Sequence, residues 1–166
     1  MRLCTAPTIT DLLMLCADAR KDEIAQYEAL VGPWRLDDVV EGFLLRRGVK
    51  FSLVDEESNL CVAAGGFEPL IHGVWQSWMV GTDAYWSKYW RSITKHTRRL
   101  MDGILADDEL GVRRLQTMAL EARVKACQWY IDGLKMKRES TLLNFGLNGE
   151  TVATFVRLKE AHHGQQ

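Results

Sequence analysis

The spacing of apolar residues changes period several times along the chain, and each change marks an element. Residues 8–30, "TITDLLMLCADARKDEIAQYEAL", place Leu12, Leu13, Leu15 and Cys16 on one side of a helix, with Thr10 or Asp11 as candidate caps. Gly32-Pro33 interrupts this pattern. Residues 35–48, "RLDDVVEGFLLRRG", then return Val39, Val40, Phe43 and Leu44 at helical spacing and stop at Gly48. From Val49 the alternation is strand-like. "VKFSLVD", "LCVAAGGFEP" and "HGVWQSWMV" predict three strands, the first two joined by the turn "EESN". Between Asp83 and Leu105 the helical period resumes through Trp86, Trp90, Ile93, Thr97, Leu100 and Ile104. Asp83 is a candidate cap for this helix. The acidic stretch "ADDEL" and Gly111 close it.

A strand, "VRRLQTMAL", and a short helix, "EARVKACQWYIDG", follow. The segments "KRESTLLNF" and "ETVATFVRLKE" flank "GLNG", where Asn148-Gly149 is the strongest hairpin signal in the sequence. A short first strand at "RLCTA" completes the series. Strand–helix–strand crossovers predict parallel central strands, so the expected architecture is a mixed sheet covered by helices on both faces. Residues 1–160 are expected to form one domain, with 161–166 as a flexible polar tail. That tail holds His162 and His163 without a rigid framework.

Composition narrows the function classes. The chain has 166 residues, 47% of them apolar, and a formal net charge of -1. It is long enough for a substantial core and lacks a global field that would draw it to nucleic acid or a membrane. No apolar run reaches the roughly 20 residues of a membrane-spanning helix, and no cationic-then-apolar leader opens the chain, so synthesis in a cytoplasm is expected. Cys4, Cys16, Cys61 and Cys127 are widely spaced among apolar neighbours. Buried free thiols are expected, with neither a zinc site nor a disulfide framework.

The order of elements resembles the GNAT acyl-coenzyme A transferase fold. Members often end with a helix reading N-x-x-A-x-x-F-Y-x-x-x-G-F and a closing hairpin. Here "ARVKACQWYIDGL", Ala122 to Leu134, matches the Gly-Phe pair with Gly133-Leu134. Trp129 stands at the tyrosine position and Ala122 at the asparagine position, so both polar family residues are replaced. Tyr130 is one residue away, about 100° around an α-helix. The resemblance implies an α/β, GNAT-like mixed central sheet with helices on both faces and a C-terminal β-hairpin. It also locates a departure. Enzymes of this fold carry Q/R-x-x-G-x-G/A after the fourth strand, where bare amides and a helix N-terminus hold the coenzyme pyrophosphate. The corresponding stretch here, "VGTDAYW", offers only Gly81, followed by the carboxylate of Asp83 and the bulk of Tyr85 and Trp86. Charge and shape oppose coenzyme binding, and no cofactor is expected.

The stretch from Trp75 to Leu158 also resembles the small internal virion proteins of T7-like short-tailed bacteriophages, which carry a degenerate acyltransferase-like domain. The shared pattern is a tryptophan-containing strand, a long basic helix, a glycine-terminated helix and a terminal hairpin. The residues that carry it are Trp78, Val80, Trp86, Lys88, Arg98, Arg99, Leu100, Met101, Gly133, Glu139, Phe155 and Leu158. The resemblance implies a non-enzymatic internal virion or virion-assembly protein that works through contacts with other phage structural or assembly proteins. Its expected location is the host cytoplasm during infection, with the virion interior as the other possibility. An acyl-coenzyme A-dependent N-acetyltransferase is the alternative, and an inhibitor that binds a host protein is a second alternative.

The expected interaction surface is the basic stripe of the long helix: Lys88, Arg91, Lys95, Arg98 and Arg99, opposite the core-facing Trp86, Trp90 and Ile93. Direct nucleic-acid binding has weaker support than a protein partner. Candidate acid–base groups are few. Glu68 and His72 lie near the third main strand, Glu121 and Glu139 flank the short helix and could face the acyl cleft, and His96 lies on the basic side of the long helix. None comes with a recognisable catalytic or metal-binding motif. Trp75 and Trp78 are three apart in a strand and must point to opposite faces.

Overall fold

The computed structural model describes residues 1–160 and contains one seven-stranded sheet. Its elements in chain order are β1 (Arg2–Cys4), α1 (Ile9–Ala17), α2 (Lys21–Leu30), α3 (Leu36–Leu45), β2 (Val49–Val54), β3 (Cys61–Ile71), β4 (Val74–Gly81), α4 (Asp83–Ala106), β5 (Arg114–Leu120), α5 (Val124–Gln128), β6 (Lys137–Leu142) and β7 (Val152–Leu158). The sheet runs β1-β2-β3-β4-β5-β7-β6. All pairs are antiparallel except β4 with β5, which are parallel, as the crossover through α4 requires.

The first helical pattern is two helices. α1 is capped one turn earlier than the sequence suggests: the Thr8 hydroxyl accepts from the Asp11 amide while the Asp11 carboxylate accepts from the Thr8 amide. The chain then breaks around Asp18–Arg20, and Arg20, in extended conformation, starts α2. The hairpin signal at Asn148-Gly149 also resolves differently. β6 and β7 do pair, but residues 143–151 connect them. Gly149, at φ 86°, turns the chain inside that loop rather than joining the strands directly.

Side-chain alternation builds two cores on the two faces of the sheet. Phe51, Ala63, Phe67, Trp75, Leu115 and Phe155 pack beneath α4 through Ile93, Met101 and Ile104. Ala64, Val80 and the half-buried Trp78 pack beneath α1 and α3 through Leu12, Leu15, Val39 and Phe43. Trp75 and Trp78 therefore do lie on opposite faces. The Phe43 ring stacks on Trp78 with centroids 4.6 Å apart. Cys16 and Cys61 are buried free thiols, and burial pushes both up to about 12, so they remain protonated.

Two adjacent glycines in β3 permit this packing. A Cβ on Gly66 would stand 2.6 Å from the Trp78 indole nitrogen and 2.7 Å from the Val49 carbonyl oxygen. Gly66→Ala must displace either a ring held by stacking or the backbone of β2. The expected cost is about 1–3 kcal/mol of folding stability, read from urea denaturation midpoints. Gly42→Ala, at a position with open space in the exposed part of α3, is the control and should not destabilise.

Candidate functional site

The central parallel pair is short. β4 and β5 pair only through Val74, Trp75 and Gln76 against Arg114, Leu115 and Gln116, and then part. Beyond Gln76 the two strands leave a split in the middle of the sheet. A cleft of about 370 Å³ occupies it, lined by aromatic side chains from both cores, including Phe43, Trp78, Trp129 and Tyr130. The antiparallel register with β3 settles which peptide groups face the split. Residues alternate edges along a strand, and the Gly81 amide and carbonyl both point away from β3. The same alternation aims the peptide groups of Ser77 and Met79 into the gap.

The mouth of the split is bridged by α2. On the β4 side, the Gly81 amide donates to Glu23 Oε2 at 3.1 Å, and the Arg20 amide donates to the Gly81 carbonyl at 3.3 Å. On the β5 side, Gln26 Nε2 donates to the Met118 carbonyl at 3.3 Å, and Gln26 Oε1 accepts from the Leu120 amide at 3.3 Å. Arg123, at the start of α5, donates to the same Gln26 oxygen at 2.7 Å and to Asp22 Oδ2 at 2.9 Å. One turn and a half of helix thus satisfies backbone groups on both parted strands.

The N-terminus of α4 differs from the expectation in one respect. Thr82, not Asp83, is the N-cap, and its hydroxyl accepts from the Tyr85 amide at 3.2 Å. Asp83 is the first helical residue, and its carboxylate turns outward to the Arg20 guanidinium, with Nε to Oδ1 at 3.3 Å. The difference has a simple cause: Thr82 already occupies the capping position, and Arg20 offers a cation within reach. Arg20 also lies over the Trp86 ring at 4.9 Å. Asp83 and Arg20 therefore form an ion pair beside the N-terminus of α4.

Glu23 is the functional-type residue that sequence reading missed. Its side chain is 11% exposed, and burial raises its pKa from 4.5 to about 7, opposed by Arg20, the Gly81 amide and Arg123. No motif surrounds it. Its place depends on the break between α1 and α2, which the continuous helical pattern concealed. Tyr130 was displaced in a similar way. After α5 the chain makes a π-helical turn over Trp129–Gly133, with the Leu134 amide donating to the Trp129 carbonyl. The wider turn brings Tyr130 onto the Phe155 ring, centroids 5.2 Å apart, and toward Thr117, while Trp129 donates to the Thr94 hydroxyl at 2.8 Å. Among the described residues three buried side-chain polar atoms, Arg46 Nε, Trp78 Nε1 and Thr97 Oγ1, lack a protein partner, and all belong to residues that line the cleft.

The earlier acid–base candidates lie elsewhere. Glu68 pairs with Arg46, and Glu121 with Arg138. Glu139 pairs with Arg114 at 2.5 Å, which holds its carboxyl below the usual range. Neither Glu121 nor Glu139 lines the cleft, because both are drawn to arginines on the terminal hairpin and its neighbour. His72 sits in the turn between β3 and β4, where its carbonyl accepts from Arg113. His96 is half-buried and its pKa is lowered by burial and by Arg99. His162 and His163 lie outside the described residues. Among the described residues no cluster of His, Cys, Asp and Glu is placed to hold a metal ion, and no helix is long and apolar enough to cross a membrane.

The basic stripe is on the outer face of α4, as expected, with one correction. Trp90 belongs to that outer face: it is 46% exposed, and the Arg91 guanidinium lies over its ring at 5.3 Å. The helix turns Ile93, Thr97 and Met101 to the core, which leaves Trp90 outside the buried arc.

Comparison with known proteins shows the same sheet in acyltransferases. Spermidine N-acetyltransferase from Vibrio cholerae, solved in complex with CoA and spermine, superposes with a TM-score of 0.73 at 12% identity, over 95% of each chain. A GNAT-family acetyltransferase from Bacillus anthracis gives 0.70 at 11% identity, over 95% of this chain and 93% of that one. No family model and no curated protein sequence matches the chain. At this identity the likeness shows the fold: a GNAT-like mixed seven-stranded sheet with helices on both faces and a C-terminal hairpin.

The raised pKa of Glu23 makes stability depend on pH. Between about 4.5 and about 7 the folded chain holds a proton that the unfolded chain releases, so stability falls as pH rises through that window. The loss attributable to Glu23 is on the order of 3 kcal/mol. Glu23→Gln, which retains an acceptor for the Gly81 amide, should flatten the profile and exceed the wild type in stability at pH 8. Urea midpoints measured from pH 5 to pH 8 on both proteins check this.

Proposed function

We propose that this chain is a non-enzymatic protein built on an acyltransferase scaffold, an internal virion or virion-assembly protein of a short-tailed bacteriophage that acts through protein–protein contacts. The observation that carries the proposal is the occupied mouth of the split. In a transferase of this fold, the end of the fourth strand and the following helix N-terminus must present free amides to an anionic coenzyme. Here the Gly81 amide is held by Glu23, the Gly81 carbonyl by Arg20, and the approach to α4 by Asp83. The order of residues between Trp75 and Leu158 supplies the phage assignment.

A second reading, an acyl-coenzyme A-dependent N-acetyltransferase, has its own support. The similar solved structures are N-acetyltransferases, which favours this reading over the first on fold alone. The cleft, the inward-facing peptide groups of Ser77 and Met79, and three unpartnered polar atoms also favour a ligand between the strands. Arg20, Glu23 and Gln26 at α2 line the same cleft and would face that ligand.

Acetyl-coenzyme A separates the two. On the first reading, 1 mM of it shifts the thermal midpoint by less than about 1 °C. Binding with a Kd near 10 µM would add about 2.7 kcal/mol, a shift of roughly 5–10 °C for a chain this size, and would establish the second reading instead. Mass spectrometry of fractionated particles tests the phage assignment: the chain should co-purify with assembling or mature particles, and its confinement to the free soluble fraction would reject that role.

A further inference from the structure

The cations on α4 are concentrated on the outer face of one helix. Arg20, Arg46, Arg114, Arg123, Arg138 and Arg157 all meet a carboxylate. Arg91, Lys95, Arg98 and Arg99 form no ion pair with a described residue, although Arg98 and Arg99 each follow Lys95 by one turn and Lys95 follows Arg91 by one turn. The exposed Trp90 ring lies beside them. An acidic counterpart exists on the opposite side of the sheet. On α3, Asp37, Asp38 and Glu41 are exposed, at helical spacing, and likewise without an ion-pair partner among the described residues. Next to α3, which packs on α1, the outer surface of that layer carries exposed apolar side chains: Ile9 (59%), Met14 (45%) and Leu45 (73%).

The two surfaces are complementary in charge, and each offers apolar area: a tryptophan ring on one, aliphatic side chains on the other. They cannot meet within one molecule, because α4 and the α1–α3 layer cover opposite faces of the same sheet. We propose that they meet between molecules: the α4 face of one copy docks on the α1–α3 face of a second copy. Such a contact is heterologous. Each added copy presents a fresh α4 face, so assembly continues as a filament or closes as a ring. A net charge of -1 leaves little overall repulsion between copies. The inference holds whether or not the cleft binds a coenzyme, because neither surface contributes the groups that bridge the split.

Sedimentation velocity on the full chain tests it. At 50 mM NaCl the wild type should form species that grow beyond a dimer with concentration, and 500 mM NaCl should return it to monomer, since the contacts are exposed and screened. A variant with Arg91→Glu, Lys95→Glu and Arg98→Glu should weaken association at least tenfold, as should a variant with Asp37→Lys, Asp38→Lys and Glu41→Lys. An equimolar mixture of the two should associate again, because every α4–α3 contact between unlike variants has opposite charges. Circular dichroism and urea midpoints confirm that both variants are folded. A wild type that stays monomeric at 1 mM in low salt overturns the proposal. So does a mixture that fails to associate, or a wild type that binds heparin as a model polyanion while remaining monomeric by itself.

Discussion

The molecule is organised around the parting of β4 from β5. Two strands that separate in the middle of a sheet expose peptide groups on two inner edges, and buried backbone groups must find partners. α2 supplies them. Arg20 and Glu23 serve Gly81 on one edge, while Gln26 serves Met118 and Leu120 on the other. Arg123 ties the far side of the bridge to Asp22 and Gln26. The same residues explain the local electrostatics. Glu23 reaches the Gly81 amide from a buried position, and that burial raises its pKa against the opposing pull of Arg20, which also pairs with Asp22 and Asp83.

This arrangement bears on both proposed readings of the scaffold. A split sheet binds a ligand only through the groups that still face the gap, and here a cleft of about 370 Å³ remains between the strands. Sequence identity of 11–12% to the acetyltransferases can preserve the strand order while replacing the groups that face the gap. Strand order depends on apolar alternation, which many residues satisfy. Anion binding at a helix start depends on a few residues without side chains, and in this chain those places hold Thr82 and Asp83.

That difference also explains what could be read from the chain beforehand. The strands, the long helix, the opposite faces of Trp75 and Trp78, and the absence of a glycine-rich turn follow from local periodicity and local residue type. The bridge did not, because Arg20, Asp22, Glu23 and Gln26 look like the solvent face of one continuous amphipathic helix. Only the break around Asp18–Arg20 and a contact 58 residues away turn Glu23 inward. Tyr130 was hidden by another local irregularity: a π-helical turn changes where side chains point, and the sequence carries no reliable mark of it. Trp90 was misplaced for a simpler reason. A tryptophan at core spacing is ordinarily buried, and here the arc of α4 that meets the sheet is narrow enough to exclude it.

The exposed position of Trp90 bears on how the scaffold is used. Inside the fold, arginines meet carboxylates and aromatic rings meet each other: Phe43 with Trp78, Trp86 with Trp129, Tyr130 with Phe155. The outer face of α4 carries a large exposed ring beside Arg91, Lys95, Arg98 and Arg99, none of them in an ion pair with a described residue. Their exposure gains nothing for folding, since an indole ring in water forgoes the burial that stabilises the other tryptophans. Long cations are ordinary on a solvated helix face, but an exposed tryptophan is not. This face combines the residue types that concentrate binding energy at protein interfaces, with an oppositely charged surface across the sheet. Groups available for recognition are thus left in two places, the cleft between the parted strands and the outer face of α4.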